Sequence, residues 1–207
     1  MCGRYDLNQS PHVIALRFIL AREPQAFSNA DVRPTNQAPI IKDSEGERVA
    51  TLARWGLIPS WSKDPKIAQH TFNARGETVA EKPSFRAAFK RRRCIVPMDA
   101  FYEWQAVSGE KKKRKLRIAS PDGDLLAVAG LWECWHSPEG EAVETFTVIT
   151  TAANTLMQPI HDRMPVILGR EDWEPWLDPA TGNPLLLQSM LKPCPEEWLR
   201  IAADAAA

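Results

Sequence analysis

From Ala38 to Thr151 the chain is a succession of short apolar, β-branched runs, and this feature most narrows what it can fold into. APIIK, RVATLARW, RCIVP, FYEWQAV, LRIAS, LLAVAGLWECW and ETFTVITT are all of strand length, and the second shows rough apolar–polar alternation. SGEKKKRK, between the fourth and fifth, reads as a hairpin turn with a charged tip. A lone hairpin is marginal in water, so runs like these must pair into larger sheets. Residues 11–22 fit a helix, with Ser10 as N-cap and Pro11 at the first helical position. ETVAEKPSFRAAFK, TAANTLMQ, EDWEPWL and NPLLLQSML also read as helical. The expected class is α+β, with antiparallel sheets as the core and helices packed outside. No internal repeat or low-complexity linker divides the 207 residues, so 1–207 is expected to be one domain, with a frayed tail at about 203–207.

Charge and cysteine content exclude several function classes. Lys+Arg and Asp+Glu are both 26, and a net charge of zero argues against a bulk polyelectrolyte binder while leaving room for a local basic groove. The basic run Lys111-Lys112-Lys113-Arg114-Lys115 reads first as a solvated turn, and Arg91–Arg93 precede a strand; phosphate contact is the second reading of both. HVIALRFILA is broken by Arg17 and lacks a cleavage site, and no run is long enough to span a bilayer, so no membrane role is expected. Cys2, Cys94, Cys134 and Cys194 are scattered without C-x-x-C spacing, which points to no metal, no disulfide framework and a reducing, cytoplasmic setting. Cys134-Trp135-His136 reads as strand decoration. Eight Trp suggest that some line a site receiving flat rings.

Five stretches combine residue types that carry chemistry. MCGRY places a thiol directly behind the initiator; if Met1 is removed, Cys2 offers a thiol and a free α-amine on one carbon. WGLIPSW holds two large rings, Trp55 and Trp61, around Gly56 and Pro59, either as core or as a stacking surface. FNARGET groups Asn73, Arg75 and Glu77 at a strand-to-helix junction, where an Asn is ordinarily a cap. FYEW sets Glu103 among aromatics, either facing solvent or buried with a raised pKa. IHDRMPVIL puts His161, Asp162 and Arg163 in a loop between apolar segments.

In this order and together, these stretches resemble the SOS-response-associated peptidase (SRAP) family, from Cys2 to about Leu168. The resemblance implies a barrel-like core of antiparallel sheets with flanking helices, and a protein, most simply a monomer without cofactor, that cross-links itself to abasic sites in single-stranded DNA during the DNA damage response. It implies Cys2 as nucleophile, Asn73 as the residue that holds it, Glu103 as acid/base, and His161 as the group that helps open the sugar and reverse the bond. It assigns Arg4, Arg75 and Arg163 to phosphates, Trp61 to the DNA path, and Asn36 and Pro39 to the lining of the site. Two departures stand out: Ala100 replaces a glycine, and the C-terminus lacks the family's Val/Asn-rich strand, which bears on the closing edge of the sheet.

The chemistry fits those residue types. An abasic sugar opens to an aldehyde, and an α-amine with a pKa of about 7.7–8.0 attacks it more readily at neutral pH than a lysine at ~10.4. The neighbouring thiol then adds to the imine intramolecularly and closes a thiazolidine. Cys is small enough for ordinary removal of Met1 by an aminopeptidase, and the family's name suggests the alternative that the chain cuts away Met1 itself. Two other classes share some of these features. Amidohydrolases with an N-terminal Cys also begin Met-Cys-Gly, but they carry an Asn-Gly pair that is absent here. A non-catalytic single-strand DNA-binding module would leave Cys2 incidental.

Overall fold

A computed structural model of the chain describes residues 2–107, 109 and 111–203. Its strands are β1 (Tyr5–Leu7), β2 (Asn29–Val32), β3 (Gln37–Ser44), β4 (Glu47–Trp55), β5 (Asn73–Arg75) and β6 (Arg93–Met98). They continue as β7 (Ala100–Gln105), β8 (Arg114–Ala119), β9 (Leu126–His136), β10 (Ala142–Ala152), β11 (Arg163–Pro165) and β12 (Arg200–Ala203). The α+β class expected from the sequence is what is found, and every strand-like run from APIIK to ETFTVITT lies in or over a strand.

Five strands close into a barrel. β4 pairs with β3, β3 with β6, β6 with β9 and β9 with β10, and β10 returns to β4 through a short parallel pairing at Thr145–Arg54. Closure leaves no open edge in the ring. Ile40, Ile41, Trp55, Val96, Val128, Phe146 and Val148 are fully buried in its strands. Packing is close enough that a Cβ on Gly130 would meet Thr147 O at 2.9 Å and Cys94 Sγ at 3.0 Å, so only glycine fits there. Gly56, at φ +125°, makes the turn after β4, where a Cβ would lie 2.8 Å from Ala68 O.

A second sheet, ordered β12-β8-β7-β1-β2, is antiparallel throughout. Its outer edge differs from the sequence expectation: the C-terminus does supply a strand, β12, paired with β8 from Arg200–Ala119 to Ala203–Leu116. Ala203, placed in the frayed tail by the sequence, thus belongs to a ladder, while 204–207 lie outside the described residues. Ala100 sits in regular pairing with both Asp6 and Ala119, so the replaced glycine costs no ladder. The charged turn falls between β7 and β8 as expected, with Ser108 and Glu110 outside the described residues.

β10 joins the two functions of the fold. Its first half closes the barrel against β9 and β4. Its last residues carry two three-residue strands on opposite edges, β5 in parallel and β11 antiparallel, both reaching Thr150.

The helices are shorter than the sequence suggests. α1 (Pro11–Phe18) begins as expected, Ser10 Oγ accepting from Val13 N at 3.3 Å, but ends early because Ile19 turns left-handed at φ 55°. Of ETVAEKPSFRAAFK only the last five residues are helical, in α2 (Arg86–Arg91); α3 (Trp173–Leu177) and α4 (Pro184–Ser189) are short. TAANTLMQ is not a helix: it ends β10 and then turns, Asn154 Oδ1 accepting from Met157 N at 3.0 Å. The basic run 91–93 is structural in part. Arg93 is buried and donates to the main-chain oxygens of Phe89 (2.9 Å), Lys90 (2.7 Å) and Trp176 (2.6 Å), capping α2 and α3, while Arg92 pairs with Glu133 at 2.7 Å. No helix among the described residues is long and apolar enough to cross a membrane. All four cysteines are unbridged, and no cluster of three or more His, Cys, Asp or Glu side chains suited to a metal occurs among the described residues.

Candidate active site

Cys2 lies immediately ahead of β1 and is buried. Asn73 reaches it from β5: Asn73 Nδ2 donates to Cys2 O at 2.7 Å. Asn73 is therefore a strand residue that fixes the N-terminal segment, not the helix cap that its sequence context suggests. Its Oδ1 is buried and has no hydrogen-bond partner among the described residues, leaving a spare acceptor on the side chain that bonds Cys2. β1 runs antiparallel to β7, with Tyr102 N donating to Arg4 O at 2.9 Å, and this register brings Glu103 alongside the segment that begins with Cys2.

Burial governs the protonation of both groups. The Cys2 thiol is pushed up to about 12 by desolvation first and by the charge of Glu103 second. Glu103 is itself buried, and desolvation raises its carboxyl; His161 opposes that shift and Asp162 adds to it. Glu103 is thus within electrostatic reach of both Cys2 and His161.

His161 follows the turn after β10, its main-chain N–H bonded to Met157 O at 3.0 Å. The turn is tied to β7 by Gln105 Nε2, which donates to Pro159 O at 3.3 Å. His161 Nδ1 accepts from Arg163 N at 2.9 Å and lies 2.9 Å from Asp162 Oδ1. These contacts ask opposite things of Nδ1: a lone pair for the first, a proton for the second. Asp162 is 87% exposed, so its contact is weak, and the main-chain bond sets the tautomer. A neutral His161 then carries its proton on Nε2, the form that can donate.

The residues assigned to DNA divide. Arg4 pairs with Asp31 and lies over the Trp104 ring, 5.7 Å from its centroid. Arg75 is exposed at the end of β5 and forms no salt bridge among the described residues. Trp61 is 58% exposed, whereas Trp55 is fully buried and stacked on Phe146 at 6.1 Å, so WGLIPSW supplies one core ring and one available ring. Asn36 is exposed and shapes its own turn, Oδ1 accepting from Arg33 N at 2.9 Å. Pro39 is buried in β3 opposite Leu52, and the small cleft it lines with Pro24 and Thr51 contains no other candidate. The Arg163 guanidinium is occupied by Glu77 and Thr150. Sequence reasoning missed Asp31 and Thr150. Asp31 carried a signal: it stands two residues from Arg33 on one face of an extended segment and bonds it at 2.9 Å.

The chain matches the model of the family described as SOS response associated peptidase (SRAP) over residues 1–204. It is 45% identical over 197 residues to the abasic site processing protein YoqW of Bacillus subtilis, covering 93% of this chain and 87% of that one. It is 38% identical over 174 residues to the abasic site processing protein HMCES of Xenopus tropicalis, covering 70% of this chain and 52% of that protein. Among solved structures, a protein from Bacteroides thetaiotaomicron superposes with a TM-score of 0.89 at 30% identity, over 99% of this chain and 93% of that one.

Proposed function

Because the chain belongs to the SOS response associated peptidase family, we propose that it processes abasic sites in DNA by bonding to them covalently through Cys2. The observation that carries this reading is the hydrogen bond from Asn73 to the Cys2 carbonyl beside the buried Glu103: it holds Cys2 near a carboxyl that His161 influences in turn.

In this reading, the peptidase activity of the family's name is scission of the Met1–Cys2 bond, which liberates the α-amine. The amine nitrogen attacks the aldehyde carbon of the opened sugar and gives a carbinolamine. Glu103 in its protonated form delivers a proton to the departing hydroxyl, water leaves and an imine remains. Burial that raises the Cys2 thiol keeps it protonated at neutral pH, which favours the amine as the first nucleophile. The thiol sulfur adds to the imine carbon and its proton passes to the nitrogen, so aldehyde and aminothiol become thiazolidine plus one water. His161, as an Nε2–H donor, assists opening of the sugar and, later, reversal. Asn73 Oδ1 accepts from the freed amine and holds it in line.

The partner is single-stranded DNA, met by a monomeric, cytoplasmic protein. Arg4 and Arg75 face its phosphates, and Trp61 and Asn36 line its path; stacking on a Trp is indifferent to sequence, as a lesion that arises anywhere requires. Incubating the purified protein with abasic and with intact single strands tests the reading. A heat-stable covalent band is expected with abasic DNA alone, and an uncleavable N-terminal tag abolishes it where a C-terminal tag does not. Equal yields from both tagged forms would rule out the thiazolidine.

A further inference from the structure

Trp135, which the sequence presents as strand decoration, is tied in the fold to the loop that carries Trp61. It stands near the end of β9, opposite Val143 of β10, and is buried. With Ile58 and Ala68 it forms a small apolar cluster separate from the main core, and Ile67 and Val143 pack against it. Satellite clusters of this kind are typical beneath long loops, and this one lies under the loop between β4 and β5. The Trp135 indole Nε1 donates to Ser62 O at 2.7 Å. Ser62 N in turn donates to Pro59 O at 2.9 Å, closing a turn with Ser60 and Trp61 as its central residues. Among the described residues, every other hydrogen bond of residues 59–64 stays within 59–67. The bond from Trp135 is therefore the one that fastens this turn to the barrel.

Trp61 itself is 58% exposed. A ring on a free loop loses conformational freedom when a base stacks on it, and that loss weakens binding. A turn closed by its own main chain and clamped at its last residue has lost that freedom beforehand. We propose that Trp135 is a positioning residue for DNA: its indole N–H holds the turn so that the Trp61 ring is set in place before a base arrives. Trp135 acts through Trp61 and not by contact with the strand. The donor, and not only the apolar ring, is what the role requires, since a phenyl group could fill the cluster but would leave Ser62 O without its bond. The inference rests on the placement of Trp61 on the DNA path above.

The test separates affinity from chemistry. Affinity for intact single-stranded DNA and the rate of adduct formation at saturating abasic DNA are measured for the wild type, Trp61→Ala, Trp135→Phe and the double variant. Trp61→Ala should weaken binding about five- to a hundredfold, the worth of one stacked base. Trp135→Phe should weaken it about three- to tenfold through lost preorganisation. Its slope of binding against salt should be unchanged because no charge is lost, and its saturating adduct rate should stay within about twofold of wild type. In the Trp61→Ala background Trp135→Phe should cost no further affinity, since the ring it positions is gone. Thermal melting verifies each fold. Should Trp135→Phe not fold, benzothienylalanine at position 135, with sulfur in place of the N–H in a ring of the same size, replaces it with the same expectation. Wild-type affinity without the N–H overturns the inference. An equal loss with and without Trp61 overturns it too, as a general loosening of the fold, and so does a saturating rate slowed as much as the affinity. If Trp61→Ala binds like the wild type, the placement of Trp61 fails and takes this inference with it, while adduct formation by the wild type leaves the covalent reading standing.

Discussion

The closed barrel and the end of β10 are built on opposite principles. In the barrel, strands of six to eleven residues bury apolar side chains on one another, and polar groups that enter are mostly answered, Trp55 Nε1 by Phe72 O at 2.7 Å and Ile58 N by Thr145 Oγ1 at 2.9 Å, with Thr147 Oγ1 left without a partner among the described residues. At the end of β10, the strands β1, β5 and β11 have three residues each. There a thiol and a carboxyl are buried at raised pKa and an amide oxygen is left unbonded. Reactive groups held this way cost stability. The barrel supplies the surplus that lets them persist, and β10, shared by both regions, transmits its rigidity to the site.

Substitutions should break this division in recognisable ways. The largest effect is expected at Cys2. Cys2→Ala keeps the α-amine and loses the thiol, so gel analysis should find no stable adduct. Borohydride should still trap the imine, and the strand should be nicked more than by the parent. A stable, borohydride-independent adduct would move the nucleophile to a lysine. Next comes the barrel. Gly130→Ala forces a methyl against Thr147 O, and a cost of about 1–3 kcal/mol in denaturant unfolding is expected, with the adduct rate per folded molecule unchanged. A selective loss of rate there would show that the barrel does more than support.

At the surface, Trp61→Ala should weaken binding to single strands by about 1–3 kcal/mol for one lost stack, with melting unaffected. Arg75→Ala should lower the slope of binding against salt by about one unit or less. The smallest effect sharpens the comparison most. Burial raises Glu103, so the fold prefers its protonated form, and stability falls as pH rises from the carboxylate range through the raised value. Glu103→Gln removes that loss. It should melt higher than the parent at neutral pH, with the gap closing below about pH 4, while its adduct forms more slowly. A variant less stable than the parent at neutral pH would return Glu103 to an ordinary structural role.

The two regions also differed in how far they could be read from sequence. The barrel strands announce themselves through β-branched runs, since their length and burial leave a pattern in composition. β5 and β11 leave no period, since three residues cannot establish one, and the pairing of β5 depends on β10, which is 70 or more residues later. Asn73 looked like a cap because the chain around it is polar, and only the parallel pairing turns it toward Cys2. The early end of α1 at a left-handed Ile19 is equally silent, as β-branched residues seldom adopt that conformation. β12 is hidden by an alanine-rich tail that pairs through its backbone. Cys2, Asn73, Glu103 and His161 were nonetheless legible as candidates from their combination, whereas Arg163's grip on Glu77 required the crossing over β10 to be seen.

That the contacts around Cys2 span long stretches of sequence has a consequence for the order in which the molecule is made. Asn73 meets Cys2 across 71 positions, and Arg163 meets Glu77 across 86. At roughly 5–20 residues per second of synthesis, the N-terminus emerges many seconds before the strand that will seat His161. Throughout that interval no pocket exists to enclose it. The nascent chain therefore presents its first residues to any processing enzyme at the ribosome. Only after β10 and β11 have emerged does the finished fold bury Cys2.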